Sequence, residues 1–154
     1  MHSHFFKFII AVLFAASFHS AIAAEEHATR EEAVAFVKKA IAYIKQNGKE
    51  KAMAEFNNPQ GQFIDRELYM AALDMNGLML ANGSNPKLVG KVLLDIKDVN
   101  GKSFVREEID VAKTKGSGWV DFEWVNPVAK KMERRSVYLE RVEDYIVLSG
   151  VYKK

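Results

Sequence analysis

The sequence predicts an α+β fold, in which helices come first and are followed by a mostly antiparallel sheet that one further helix interrupts. Apolar residues keep helical spacing over residues 29–47, whereas they alternate with polar residues over 119–125. A chain of 154 residues, 49% hydrophobic and 27% charged, is long enough for one core and too apolar for disorder. We therefore expect a single folded domain.

The N-terminal residues differ in composition from the rest, because Lys7 is the only charged side chain before Glu25. An apolar run over residues 8–18 is followed by Ala21-Ile22-Ala23, which places small residues where signal peptidase requires them. We predict a secretory signal peptide over residues 1–23, a mature domain over residues 24–154 and a periplasmic location. A retained membrane anchor is the alternative, although the apolar run is short for a bilayer.

The predicted mature chain lacks the residue types that several kinds of chemistry need. It has no cysteine, and His27 is its one histidine. Ser-His-Asp and Cys-His catalysis and histidine or cysteine zinc sites are therefore excluded. Its net charge is +1, with lysine pairs scattered along the chain, which argues against a nucleic-acid partner. We predict no enzyme activity, no metal and no cofactor.

Two helices are expected at the start of the mature chain. Thr29 and Glu32 have the spacing of a capping box, and a stripe of apolar residues follows until Asn47-Gly48 provides a stop. The stripe consists of Val34, Val37, Ile41 and Ile44, with Ala33 and Ala40 beside it. A second, short helix is predicted over Lys49–Phe56.

The remaining elements are expected to form the sheet and one more helix. Asn76-Gly77 separates apolar runs over 68–73 and 78–80, which predicts a hairpin. The apolar positions from Phe104 outline a helix that ends at Gly116. Strands over 119–125, 137–139 and 145–148, with a tight connection over 142–144, then give a three-stranded antiparallel run.

Two groups of acidic residues invite a functional interpretation. Asp98, Asn100, Gly101 and Glu107 partly imitate a calcium loop, but its first position would be Ile96, so we predict a turn instead. Asp121 and Glu123 have the spacing of a carboxylate pair on one strand face. That face is opposite to the apolar residues of the strand, so these two side chains are expected in solvent.

Six short motifs follow one another along the chain: 69–77 (YMAALDMNG), 85–90 (NPKLVG), 98–102 (DVNGK), 118–127 (GWVDFEWVNP), 136–138 (SVY) and 150–152 (GVY). In this order they resemble the successive signatures of single Cache domains of the second type. The resemblance runs from about Thr29 to the C-terminus. It departs from the common pattern at Asn82, where related sequences often have His, and at Arg135, where they often have Lys.

The resemblance implies a PAS-like Cache fold, with a long N-terminal helix packed on a curved antiparallel sheet whose other face holds a ligand pocket. Such domains are extracytoplasmic sensors, which bind and do not catalyse. Because the chain ends three residues after Val151, we expect a stand-alone copy that signals to a separate membrane chemoreceptor or histidine kinase. The helix over residues 29–47 is also a candidate surface for a homodimer.

The resemblance also suggests which side chains meet the ligand. Tyr69, Phe122, Trp124 and Tyr138 are expected on or near the pocket face of the sheet, although aromatic residues alternating on a strand are equally typical of a core. Arg135 shares strand parity with the apolar residues after it, so it is expected to point inward, where it needs an anion. That anion is either a ligand carboxylate or an internal Asp or Glu.

These observations favour a sensor for a short-chain carboxylate such as acetate, propionate, pyruvate or lactate. One alternative is a regulatory interaction module whose pocket is filled by side chains. Another is a small α+β-barrel isomerase or hydratase, since Asp and Tyr can carry out acid–base chemistry without histidine.

Overall fold

The computed structural model describes residues 27–153, so the predicted signal peptide lies outside the described residues. The helices are α1 (Arg30–Asn47), α2 (Lys49–Phe56) and α3 (Phe104–Lys115), with a short 3-10 helix over Pro86–Leu88. The strands are β1 (Ile64–Asp65), β2 (Leu68–Tyr69), β3 (Ala71–Asp74), β4 (Met79–Asn82), β5 (Ser117–Val125), β6 (Met132–Val142) and β7 (Tyr145–Lys153).

Five of these strands form an antiparallel sheet in the order β4-β3-β7-β6-β5. The order confirms the predicted run of three antiparallel strands at the C-terminus and the predicted α+β class. Strands β6 and β7 are considerably longer than the apolar runs from which they were predicted. They form the centre of the sheet together with β3.

Helix α1 begins with the predicted capping box. The Thr29 hydroxyl accepts from the Glu32 amide at 3.2 Å, and the Thr29 amide donates to the Glu32 carboxylate at 2.7 Å. The buried stripe runs through Ala33, Phe36, Val37, Ala40 and Ile44, so it includes Phe36, whereas Val34 and Ile41 lie at its half-buried edge. None of the helices within residues 27–153 is both long and apolar enough to cross a bilayer.

The sheet separates two apolar layers. Helices α1 and α2 cover one face, where Phe36, Phe56 and Val147 are buried together. Helix α3 covers part of the other face, where Phe122 and Ile146 are among the buried residues. Because successive side chains of a strand point to opposite faces, each central strand contributes to both layers.

The predicted hairpin forms, but its first strand is shorter than the apolar run. Asp74 Oδ1 accepts from the amides of Asn76 and Leu78, each at 2.8 Å, and Gly77 adopts a φ of +82°. Leu68–Tyr69 pairs instead with Ile64–Asp65 in a separate two-stranded sheet. Met70 separates the two sheets, and its carbonyl accepts from the amide of Gly83 at 3.0 Å.

Asp98 forms the predicted turn and also fastens it to the sheet. Its Oδ1 accepts from the amides of Asn100 and Lys102 at 2.9 Å, and its Oδ2 accepts from the amide of Glu123 at 3.0 Å. These backbone hydrogen bonds, the one from Glu123 first, hold the pKa of the Asp98 carboxyl below its usual value. The turn precedes α3 and fixes the start of that helix against β5.

Candidate functional site

A small cavity lies between α3 and the sheet face that α1 does not cover. Its volume is ≈ 30 Å³, which is room for about two water molecules. The lining residues are mostly apolar and come from the sheet, α3 and the segment that contains the 3-10 helix: Tyr69, Ala71, Leu73, Met79, Asn82, Leu88, Leu93, Phe104, Val105, Glu108, Phe122, Trp124, Arg135 and Leu148. A mostly apolar lining with a few convergent polar groups is typical of a small-molecule site.

Arg135 is the cationic group of this cavity. It lies on β6 and is 3% exposed, and its Nη1 donates to the Tyr69 hydroxyl at 2.6 Å. The guanidinium carbon lies 4.3 Å from the centroid of the Tyr69 ring and 5.4 Å from that of Tyr152. Its Nε and Nη2 have no hydrogen-bond partner. These two nitrogens form one edge of the planar guanidinium, which is the arrangement that holds a carboxylate by two parallel hydrogen bonds.

Glu108 is a second charged residue in the same cavity, and the sequence interpretation missed it. It lies on α3, is 1% exposed, and its Oε1 has no hydrogen-bond partner. Burial raises the pKa of Glu108 to about 8, although Arg135 acts in the opposite direction. The available signal was its position, because Glu108 falls on the apolar stripe of α3 between Val105 and Ala112.

Four of the five predicted site residues line this cavity: Tyr69, Phe122, Trp124 and Arg135. Phe122 stacks on Phe104 with 4.0 Å between ring centroids and an interplanar angle of 9°. Trp124 meets the Phe104 ring edge-on at 5.3 Å. The aromatic residues therefore form a wall against α3.

Tyr138 does not join this group, because it lies on the sheet face that α1 covers. Its hydroxyl donates to Glu140 at 2.7 Å, and its ring lies 5.3 Å from that of Trp119. Strand parity explains the placement. Arg135 and Tyr138 are three residues apart on β6, so their side chains point to opposite faces.

The two neighbouring arginines of β6 have different surroundings. Arg134 is exposed and donates to Asp121 at 3.1 Å on the sheet face opposite to that of Arg135. Asp121 also accepts from the Ser136 hydroxyl at 2.5 Å. It is half-buried, whereas the alternation along β5 predicted a fully solvated side chain. Among the described residues, Arg135 makes no hydrogen bond to a carboxylate, so the internal salt bridge considered for it is absent there.

An open groove adjoins the cavity. It has a volume of ≈ 320 Å³ and shares Asn82, Leu88 and Trp124 with the cavity lining. Asn82 holds the rim in place, since its Oδ1 accepts from the amides of Ser84 and Asn85 at 3.1 and 2.9 Å. The groove therefore continues the cavity on the side of Asn82 and Trp124.

Within the described part of the chain, no three histidine, cysteine, aspartate or glutamate side chains come together as a metal site would require. The chemistry that the cavity offers is recognition by one guanidinium, one buried carboxyl and an aromatic wall.

Comparison with known proteins gives relatives among chemotaxis receptors. The chain is 28% identical over 90 residues to the methyl-accepting chemotaxis protein McpP of Pseudomonas putida. The matched segment covers 57% of this chain and only 16% of that receptor. A solved structure of a methyl-accepting chemotaxis protein from Vibrio parahaemolyticus matches with a TM-score of 0.68 and 26% identity, covering 79% of this chain and 86% of the other.

A second solved structure is that of a Cache chemosensory domain and is described as the structural basis for its recognition of carboxylic acids. It matches with a TM-score of 0.63 over 80% of this chain and 88% of the other, and at 24% identity it shows a shared fold. The family model described as Single Cache domain 2 matches residues 15–154. The predicted Cache fold is confirmed, and the chain belongs to the family of single Cache sensor domains.

Proposed function

We propose that this chain is a periplasmic sensor domain that binds a short-chain carboxylate, such as acetate, propionate, pyruvate or lactate, and reports its presence to a separate membrane chemoreceptor or histidine kinase. The observation that carries the proposal is the free edge of the buried Arg135 guanidinium in this cavity. The solved Cache domain reported to recognise carboxylic acids supports the same ligand class.

The surroundings of Arg135 favour an anion at its free edge. A buried cation with unpartnered donors is costly, and a carboxylate provides both the opposite charge and two acceptor oxygens. Tyr69 occupies Nη1 and packs along the guanidinium. It therefore leaves Nε and Nη2 for the ligand and fixes the direction in which they point.

The rest of the cavity limits the size of that ligand. A volume of ≈ 30 Å³ is too small for a sugar or a nucleotide. Phe122, Trp124 and Leu88 would surround the carbon chain, while Arg135 meets the carboxylate. Among carboxylic acids, those of two or three carbons need the least widening of this space, so the small volume favours acids of that size.

The ligand proposal can be tested by a thermal-shift screen of small carboxylates followed by titration calorimetry. A true ligand at about 100 times its Kd contributes ~2.7 kcal/mol and raises the Tm by several degrees. Arg135→Met should weaken binding about 10- to 100-fold, because it removes a charge-assisted hydrogen bond. Arg135→Lys should retain part of the affinity, since it keeps the charge without the planar fork.

Arg134→Met is the matched control for this experiment. Arg134 belongs to the same strand and has the same charge, but it faces Asp121 and not the cavity. We expect its ligand affinity to stay within about twofold of the wild type, since no cavity contact is lost. If Arg135→Met also stays within that range, Arg135 does not bind the carboxylate.

A second function is favoured by one observation, the small volume of the cavity. A cavity that stays closed to small acids would make the domain a regulatory module, which acts on a membrane sensor through its surface. In that case none of the carboxylates in the screen raises the Tm.

A free periplasmic protein requires that the predicted signal peptide over residues 1–23 is removed. Mass spectrometry of the protein from a periplasmic extract should give a chain that begins at Ala24. A full-length chain in the membrane fraction would instead indicate a retained anchor.

The signalling role predicts a behavioural phenotype in the producing bacterium. A strain without this protein should lose its response to the bound acid while keeping its other responses. The wild-type protein should restore the response, and the Arg135→Met variant should not. Restoration by both would show that ligand binding at Arg135 is not what the partner detects.

A further inference from the structure

The cavity contains a feature that a simple carboxylate leaves unexplained. Glu108 is almost fully buried, lines the same space as Arg135, and has an oxygen without a hydrogen-bond partner. An aliphatic side chain on the apolar stripe of α3 would avoid this cost. The carbon chain of acetate or propionate offers no hydrogen-bond donor to this oxygen. A simple acid of that kind therefore does not explain why the carboxyl is buried here.

We propose that Glu108 is a second recognition group, and that the preferred ligand is a short carboxylate bearing a hydrogen-bond donor, a hydroxyl or an ammonium group, on the carbon next to its carboxylate. The inference rests on the proposed function, since it requires the carboxylate on Arg135. Arg135 then takes the acid group and Glu108 takes the donor.

The size of the cavity fixes where the donor must be. Arg135 lines the cavity from β6 and Glu108 lines it from α3, and the whole cavity has a volume of only ≈ 30 Å³. A ligand that contacts both groups in such a space has its two polar groups close together. Adjacent carbons, as in a 2-hydroxy or 2-amino acid, meet this condition.

The electrostatics of the cavity point to the same chemistry. Neither Arg135 nor Glu108 is neutralised by a hydrogen-bonded partner of opposite charge. A ligand with one acceptor group and one donor group satisfies both, whereas propionate satisfies Arg135 and leaves the Glu108 oxygen unpaired. A carboxyl oxygen can accept a hydrogen bond whether the group is ionised or protonated.

Three acids of equal carbon number test the inference: propionate, lactate and alanine, which differ by a hydrogen, a hydroxyl and an ammonium group on the same carbon. Calorimetry with the wild type should show that lactate or alanine binds about tenfold or more tightly than propionate. In Glu108→Leu this preference should disappear, with the acids binding within about threefold of one another. Leucine replaces the glutamate side chain with an apolar one of similar volume, so the cavity stays apolar and the fold is retained.

Two further variants identify the donor and control for position. Glu108→Gln keeps an acceptor oxygen without a charge, so it should retain a preference for lactate and lose one for alanine. Glu107→Gln changes the exposed neighbour, which pairs with Lys102, and should leave the wild-type preference unchanged.

Two results would overturn the inference: equal or tighter binding of propionate by the wild type, or a preference for the donor-bearing acid that survives in Glu108→Leu. Both leave carboxylate binding at Arg135 intact. Failure of every acid to bind the wild type would overturn the proposed function as well, so the two failures are distinguishable.

Discussion

The buried carboxyl of Glu108 makes the stability of the ligand-free protein depend on pH near neutrality. Burial raises its pKa from the usual 4.5 to about 8. Between these values the folded state binds one proton more than the unfolded state, so the free energy of unfolding falls as the pH rises. The full stability is present below pH 4.5 and is lost progressively towards pH 8.

The size of the effect follows from the shift in pKa. One pKa unit corresponds to about 1.4 kcal/mol, so a shift from 4.5 to about 8 gives a total loss of at most about 5 kcal/mol. This shift in pKa already includes the effects of the charged groups around Glu108. Arg135 and Lys102 favour the ionised form and reduce the shift, whereas Glu107 opposes ionisation and increases it.

Urea unfolding of ligand-free protein at pH 5, 6, 7 and 8, followed by the fluorescence of Trp119 and Trp124, measures this dependence. In Glu108→Gln the loss of stability between pH 5 and 8 should be several kcal/mol smaller than in the wild type. Glu107→Gln, on the exposed face of α3, is the matched control and should keep most of the wild-type slope. Parallel curves for the wild type and Glu108→Gln would show that Glu108 is not protonated in the folded protein, and the reasoning would be refuted.

The remaining predictions concern other parts of the fold. Tyr69→Phe should weaken carboxylate binding several-fold, because the hydroxyl that accepts from the buried arginine is lost, whereas Tyr138→Phe should leave calorimetric affinity within about twofold; the reverse order would contradict the cavity assignment. Thr29→Ala should lower the free energy of unfolding in urea by about 1 kcal/mol through loss of the cap, and an unchanged value would show that the cap contributes nothing. Gly77→Ala should cost more than about 1 kcal/mol in the same assay, since its φ is +82° and an added Cβ would lie 3.0 Å from Leu94; a neutral result would mean that the turn rearranges freely.

The helices could be predicted from the sequence because their ends depend on local chemistry. The capping box at Thr29 and the stop at Gly48 act within a few residues, and both helix boundaries were confirmed. The central strands could not be delimited in this way. Ser136, Ser149 and Gly150 are buried inside β6 and β7, and they interrupt the apolar runs by which strands are recognised. An added Cβ at Gly150 would lie 2.6 Å from the Ser136 carbonyl oxygen, so close packing between the strands requires small residues there.

The cavity side of Arg135 could be predicted because parity with Val137 and Leu139 places it on an apolar face. Tyr138, which the resemblance implied for the same pocket face, lies three residues from Arg135 on β6 and therefore has the opposite parity. Its true neighbours belong to the other layer, where Glu140 also meets Lys38 of α1 at 2.6 Å.

Glu108 and Arg135 break the same rule in two different elements, since each is a charged residue on an otherwise apolar stripe. On α3 the stripe has helical spacing and on β6 it alternates, so the sequence contains both signals but not their proximity. The fold brings the two stripes together, because α3 packs on β5 and β6. A charged residue at a core-facing position lowers stability unless another interaction offsets the cost of its burial. Two such residues of opposite sign around one cavity are most simply explained by a ligand that contacts both.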